Sequence, residues 1–196
     1  MQLTRSCIFA FAMLSGMPAA QAEAVSPGQR FPSPLLDVSA PADSGWEKVG
    51  EAQMALVFRK EGAASGESYV AQAMLFPVPN PQTTDQFIAF IQDAVNSDIK
   101  TGRLTLLESK YEYTEQRGYP CVRFTGLTVS TDETGGIFNR QPVRAQVRSL
   151  YCQHPTNKRL GFLAGFTHRG AGTVPDFAAR ADAFAAGVQV PGSAKN

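Results

Sequence analysis

The sequence predicts an α+β domain, a mostly antiparallel sheet of six or seven strands with two main helices packed on it. Three observations predict it. Several segments alternate apolar and polar residues with period two, two others repeat apolar residues at helical spacing, and the strand-like segments of the second half follow one another without intervening helices. Doubly wound parallel folds need strand and helix to alternate, so the order favours antiparallel pairing.

The strand segments are Met54–Arg59, Ser68–Phe76, Arg103–Glu108, Lys110–Arg117, Cys121–Val129, Pro142–Cys152 and Leu160–His168. Ser68–Phe76 is apolar on both faces, as a central strand would be. Lys110–Arg117 sets Tyr111 and Tyr113 among charges. Thr83 and Gln86 form a T-x-x-Q capping box ahead of Phe87, Ile88, Ile91, Ala94 and Val95, which marks the first helix. The second is read from Thr173, Pro175 and Asp176 in its first turn, with Phe177, Ala181, Phe184 and Val188 on one stripe and Gly187 near the C-cap. The phenylalanines of these stripes are core residues on this reading.

Residues 1–22 read as a cleavable secretory signal peptide. Arg5 gives the positive n-region, Ile8–Leu14 the short apolar h-region and Ala20-Gln21-Ala22 an A-x-A cleavage site. The apolar run is shorter than the roughly 20 residues that cross a bilayer. Cys7 precedes the h-region, the wrong side for lipidation. Residues 23–45, with Pro27, Pro32, Pro34 and Pro41, form an irregular lead-in draped over the domain. Residues 46–190 are a single domain opened by Trp46, and 191–196 a frayed tail. No transmembrane segment remains after cleavage, and the expected location is periplasmic or secreted.

The whole chain carries 18 basic and 17 acidic residues, and removing Arg5 leaves 17 of each. This balance excludes a general nucleic-acid binder, which needs a basic surplus to neutralise phosphates. Of the three cysteines, Cys121 and Cys152 survive cleavage. An even count in an oxidising compartment makes a disulfide the default.

The two cysteines lie symmetrically about Gly136 and Ile137, with the turn-rich Thr131–Gly136 at the midpoint. The simplest arrangement is a hairpin with the cysteines facing each other at its base. Counting by twos then puts Arg123, Arg144 and Arg148 on the face of the disulfide, and Val122, Phe124, Val143, Ala145, Val147 and Tyr151 on a core face. Three guanidinium groups on a rigid sheet suit a carboxylate or phosphate. The competing reading is a solvated face on which they pair with nearby acids.

The two histidines are His154, in Cys152-x-His154, and His168, at a strand end beside Arg169. A disulfide removes Cys152 as a metal ligand, and no second close pair stands by, so no metal site is expected. No G-x-S-x-G elbow, H-E-x-x-H, Walker loop, dinucleotide glycine pattern or C-x-x-C occurs, so no cofactor is expected.

The order of elements resembles the Mog1/PsbP-like α/β sandwich: a Trp46-led segment, the strand pair ending at Phe76, a capped helix from Thr83, a run of antiparallel strands and a closing helix. Gly118-Tyr119-Pro120-Cys121, Tyr151-Cys152-Gln153-His154-Pro155 and His168-Arg169-Gly170 are also similar to stretches of small exported bacterial proteins of unassigned role. The resemblance implies a binding or assembly factor. The expected function is therefore a non-catalytic periplasmic binding or accessory protein for a protein or small anionic ligand. Its surface would be Arg123, Arg144 and Arg148, or a strand-end group of His154, His168 and Arg169. The alternatives are an envelope enzyme of hydrolase type, using His168 with carboxylates assembled by the fold, and a purely structural envelope component.

Overall fold

A computed structural model of the chain describes residues 22–52, 54–79, 83–99, 104–130 and 143–193. The signal-peptide reading and the Thr131–Gly136 turn fall outside these residues, apart from Ala22. In chain order the elements are β1 (Glu23–Ala24), β2 (Arg30–Phe31), β3 (Asp37–Ser39), β4 (Glu47–Ala52), β5 (Ala55–Glu61), β6 (Ser68–Pro77), α1 (Thr84–Ile99), β7 (Leu104–Thr114), β8 (Cys121–Ser130), β9 (Val143–Gln153), β10 (Leu160–Gly170), α2 (Phe177–Ala186) and β11 (Val188–Gln189).

The architecture is α+β. An eight-stranded antiparallel sheet runs β1-β4-β5-β6-β10-β9-β8-β7, and a small sheet runs β11-β3-β2. β10 lies at the centre, and its Gly-Phe-Leu-Ala-Gly-Phe run is buried on both sides, which removes the alternation of a half-exposed strand. At Gly161 a Cβ would come within 2.5 Å of the Phe76 ring, so the close approach of β6 requires glycine there.

Both faces of the sheet are core. On one, α1 buries Phe87, Ile91 and Val95 against Phe76, Val122, Phe124, Val147 and Leu163. On the other, α2 and the small sheet cover Phe58, Ala73, Leu150, Phe162 and Phe166. The hairpin therefore has no solvated face at its base: the disulfide side, expected to lie opposite the core, belongs to a second core. The cystine itself is as expected. Cys121 and Cys152 are direct cross-strand partners, bonded, with Cα atoms 4.1 Å apart.

Four elements differ from expectation. β4 has no counterpart among the expected strands, because Glu-Lys-Val-Gly-Glu-Ala has no apolar alternation. It lies between the two-residue β1 and β5, its Lys48 holds Glu23 and Glu51 at 3.0 and 2.8 Å, and its register with β5 shifts between Lys48 and Gly50. The segments at 103–108 and 110–117 are one strand, β7, with a register shift at Leu107. The second helix begins at Phe177, not Thr173. The chain before it is held by Val174 N–H donating to Gln146 Oε1 at 2.7 Å, and Val188 belongs to β11. The lead-in carries β1, β2 and β3 and buries Val25, Leu36, Val38 and Ala40. The α1 capping box is present as read: Gln86 N–H donates to Thr83 Oγ1, and Thr83 N–H to Gln86 Oε1.

Candidate functional site

The β8–β9 register keeps its parity without a shift, so Arg123, Arg144 and Arg148 do share a face. They do not form one site. α2 lies across β9 and β10 and brings Asp182 over the arginines. Arg148 donates from Nε and Nη2 to the two Asp182 carboxylate oxygens, each at 2.9 Å, and from Nη1 to Thr125 Oγ1 at 3.1 Å. Arg123 Nε stands 3.8 Å from Asp182 Oδ1. Arg144 is exposed and four residues further along β9, roughly 13 Å away at about 3.3 Å per residue. Its place is taken by Arg117, which the sequence did not single out. Arg117 donates to the Val188 carbonyl of β11 at 2.7 Å and to that of Ala185, a carbonyl in the last turn of α2. Arg117, Arg123, Arg148 and Asp182 line a crevice of about 90 Å³ between α2 and the sheet.

His154, His168 and Arg169 are not a group. His154 follows β9 and its N–H donates to the Leu160 carbonyl, at one end of β10. His168 lies near the other end, eight residues on, or roughly 26 Å. Arg169 points to the opposite face from His168, as successive strand residues must. His154 is 1% exposed. Its Nδ1 accepts from Asn157 N–H at 3.2 Å, which leaves Nε2 to donate to the Leu35 carbonyl at 3.1 Å. It fastens the lead-in to the β9–β10 turn.

His168 is 2% exposed, with its ring against that of Tyr69 at 4.8 Å and its Nε2 2.8 Å from Glu67 Oε1. Its Nδ1 is buried with no partner among the described residues. Glu67 also accepts from Ala64 N–H at 3.1 Å and Tyr69 Oη–H at 3.2 Å. The Ala64 N–H, then His168, hold its carboxyl below the usual range against the opposing effect of burial. Burial, then the charge of Glu67, pushes the Tyr69 phenol up.

Beside this cluster lies a cleft of about 490 Å³, between the 41–43 segment, the β5–β6 turn and α2. Tyr69, Phe166 and Phe184 are among its lining residues, and the Arg180 guanidinium lies over two of those rings, 4.4 Å from Tyr69 and 5.8 Å from Phe166. Asp43 anchors the rim. Its Oδ2 accepts from Lys60 Nζ at 2.6 Å and Arg180 Nη2 at 2.9 Å, and its Oδ1 from Trp46 Nε1 at 2.8 Å. Burial raises the Asp43 pKa, but the bonds from Lys60 and Trp46 and the charge of Arg180 outweigh it and leave a net lowering. Glu61 and Asp176 add acid to the rim. The volume falls within the range of small-ligand sites, and an apolar floor with few polar groups above it is their usual make-up. Neither His168 nor Glu67 lines it. Asp43, Lys60 and Arg180 come from three separate parts of the chain, so no local pattern marks the cleft in the sequence. Among the described residues no group of three or more His, Cys, Asp or Glu is placed to hold a metal.

No protein-family model matches the sequence, and no curated protein matches it. By structure the chain is similar to cyanobacterial PsbP (CyanoP) from Synechocystis sp. PCC 6803, with a TM-score of 0.50 and 14% identity over 90% of this chain and 98% of that one. It is also similar to a point mutant of Mog1, with a TM-score of 0.45 and 12% identity over 87% of this chain and 96% of that one. At such identities the likeness is one of fold.

Proposed function

We propose, for a chain with the Mog1/PsbP-like fold, a non-catalytic role as a periplasmic binding or accessory protein that takes its ligand in the Tyr69–Arg180 cleft. One observation carries this reading: the cleft joins an aromatic floor to a rim of both charges, while the buried His168–Glu67 pair stays outside it. An aromatic floor offers apolar area at low entropic cost, and a mixed rim selects orientation. The Cys121–Cys152 bridge supports an oxidising compartment. The test is an amide NMR titration of the protein with a panel of blocked dipeptides and small dicarboxylates. Binding should move Gly62, Ala63, Tyr69 and Arg180 together, and Tyr69→Ala should abolish it. Ligands that bind only elsewhere on the surface would sink the reading.

The His168–Glu67 contact favours a second reading, the envelope hydrolase, because a histidine oriented by a carboxylate is the general-base arrangement. Its burial weighs against it. Turnover of p-nitrophenyl esters that His168→Gln removes without lowering the melting temperature supports this reading. A rate equal in both proteins ends it.

A further inference from the structure

We infer that the crevice between α2 and the β8–β9 hairpin is a second binding site, specific for a small oxyanion, and that Asp182 occupies it as an internal stand-in for the ligand. The site lies apart from the Tyr69–Arg180 cleft and does not depend on the reading given to that cleft.

Charge comes first. Arg117, Arg123 and Arg148 line the crevice against one carboxylate, Asp182. Glu112 is the other acid in reach, facing Arg123 across the β7–β8 pair, and Lys110 Nζ holds it at 2.8 Å. In a chain whose charges nearly cancel, this crevice keeps a surplus of two positive charges over its own acid.

The arginines differ in how fully they are used. Arg117 is committed to the carbonyls of Ala185 and Val188. Arg148 has all three of its nitrogens engaged, two of them on Asp182. Arg123 makes no hydrogen bond among the described residues. Its nearest acid is Asp182, at 3.8 Å, and its side chain is 26% exposed. A half-buried guanidinium fixed on a strand, with its donors unused, is poised to donate to an incoming anion.

Asp182 shows what the site recognises. Its carboxylate sits on the Arg148 fork in the two-point geometry by which guanidinium groups read carboxylate and phosphate oxygens. The Asp182 side chain is also 47% exposed, so its carboxylate has water to turn into, and what an incoming anion must replace is its pair with Arg148. The crevice volume of about 90 Å³ is room for at least one phosphate or carboxylate group. The ligand group binds Arg123 and takes over the Arg148 fork as Asp182 turns outward.

The experiment follows the arginine Nε–Hε signals of the whole chain by NMR during titration with inorganic phosphate and, separately, acetate, with sodium chloride at matched ionic strength as control. The signals of Arg123 and Arg148 should move with either anion beyond the chloride control. Asp182→Asn should tighten the binding at least about tenfold by removing the competitor, and Arg123→Gln should abolish it in both backgrounds. Response to phosphate alone assigns a phosphate ligand, and response to acetate alone a carboxylate. Unmoved Arg123 and Arg148 signals in the unaltered protein and in Asp182→Asn overturn the inference, as does an Asp182→Asn affinity no greater than the original. Arg123 is partly exposed, so Arg123→Gln alone decides the matter if Asp182→Asn does not fold.

Discussion

Glu67 shows how a single side chain ties strand to strand. It accepts from Ala64 in its own turn, from Tyr69 two residues on, and from His168 across the β6–β10 pair. Its folded pKa lies below the ordinary value near 4.5, so the stability it lends is complete above that value and is lost as pH falls through the depressed one. Glu67→Gln should therefore cost about 1–2 kcal/mol at neutral pH. The gap from the parent should narrow at an acid pH below the depressed pKa of Glu67, where both carry an uncharged side chain. Urea midpoints at the two pH values check this, and a gap of equal size at both would show that the charge is not responsible. At this scale the sequence was partly legible. Alternation by twos placed Arg123 and Arg148 on one face, because cross-strand parity is local geometry. It could not place Asp182 over them, 34 positions from Arg148, nor lay Arg180 on Asp43, 137 positions away. Pairing at that range is decided by how α2 docks, and no repeat in the sequence encodes docking.

Among the elements, those with a strong period or a local cap were the readable ones. The Thr83–Gln86 box is present in full, and Thr83→Ala should cost about 1 kcal/mol by leaving the Gln86 N–H without its acceptor. Thermal denaturation followed by far-ultraviolet circular dichroism measures the loss, and an unchanged midpoint would mean that packing alone starts α1. β7 misled because of its bulge. Leu106 and Tyr111 both pack toward α1, yet they are five residues apart, an odd spacing that simple alternation forbids. The extra residue, Leu107, restores the parity and is left half exposed on the edge of the sheet. Read from the sequence, the same break resembles the end of one strand and the start of another. Thr-Val-Pro-Asp carries initiation residues and so predicts an earlier start for the second helix, while Gln146 on β9 holds Val174 outside it.

For the whole molecule, the closures between distant segments matter most. The cystine spans 31 positions and joins the ends of β8 and β9. Replacing both cysteines by serine should lower stability by about 3–4 kcal/mol on the chain-entropy account. Denaturant unfolding of the two proteins measures it, and a difference below about 1 kcal/mol would show that the reduced chain keeps the hairpin closed unaided. The lead-in is a second closure. Val25, Leu36 and Val38 are buried in the same cluster as Phe58 and Val188. A chain beginning at Trp46 loses three buried apolar side chains, on the order of 5 kcal/mol. That is much of a typical domain's total stability. It should melt far below the full chain or fail to fold, and an equal melting temperature would show that the lead-in merely rests on the surface.

The small sheet has a consequence for when the fold can finish. β3 is flanked by β2, only a few residues upstream, and by β11, which lies near the far end of the described chain. A polypeptide that emerges N-terminus first, from a ribosome or through a pore, can pair Phe31 with Val38 early. It must then hold the other edge of β3 open until Val188 arrives, after every strand of the main sheet has appeared. Final closure is thus tied to the emergence of β11, and a chain delivered short of it keeps an unsealed edge.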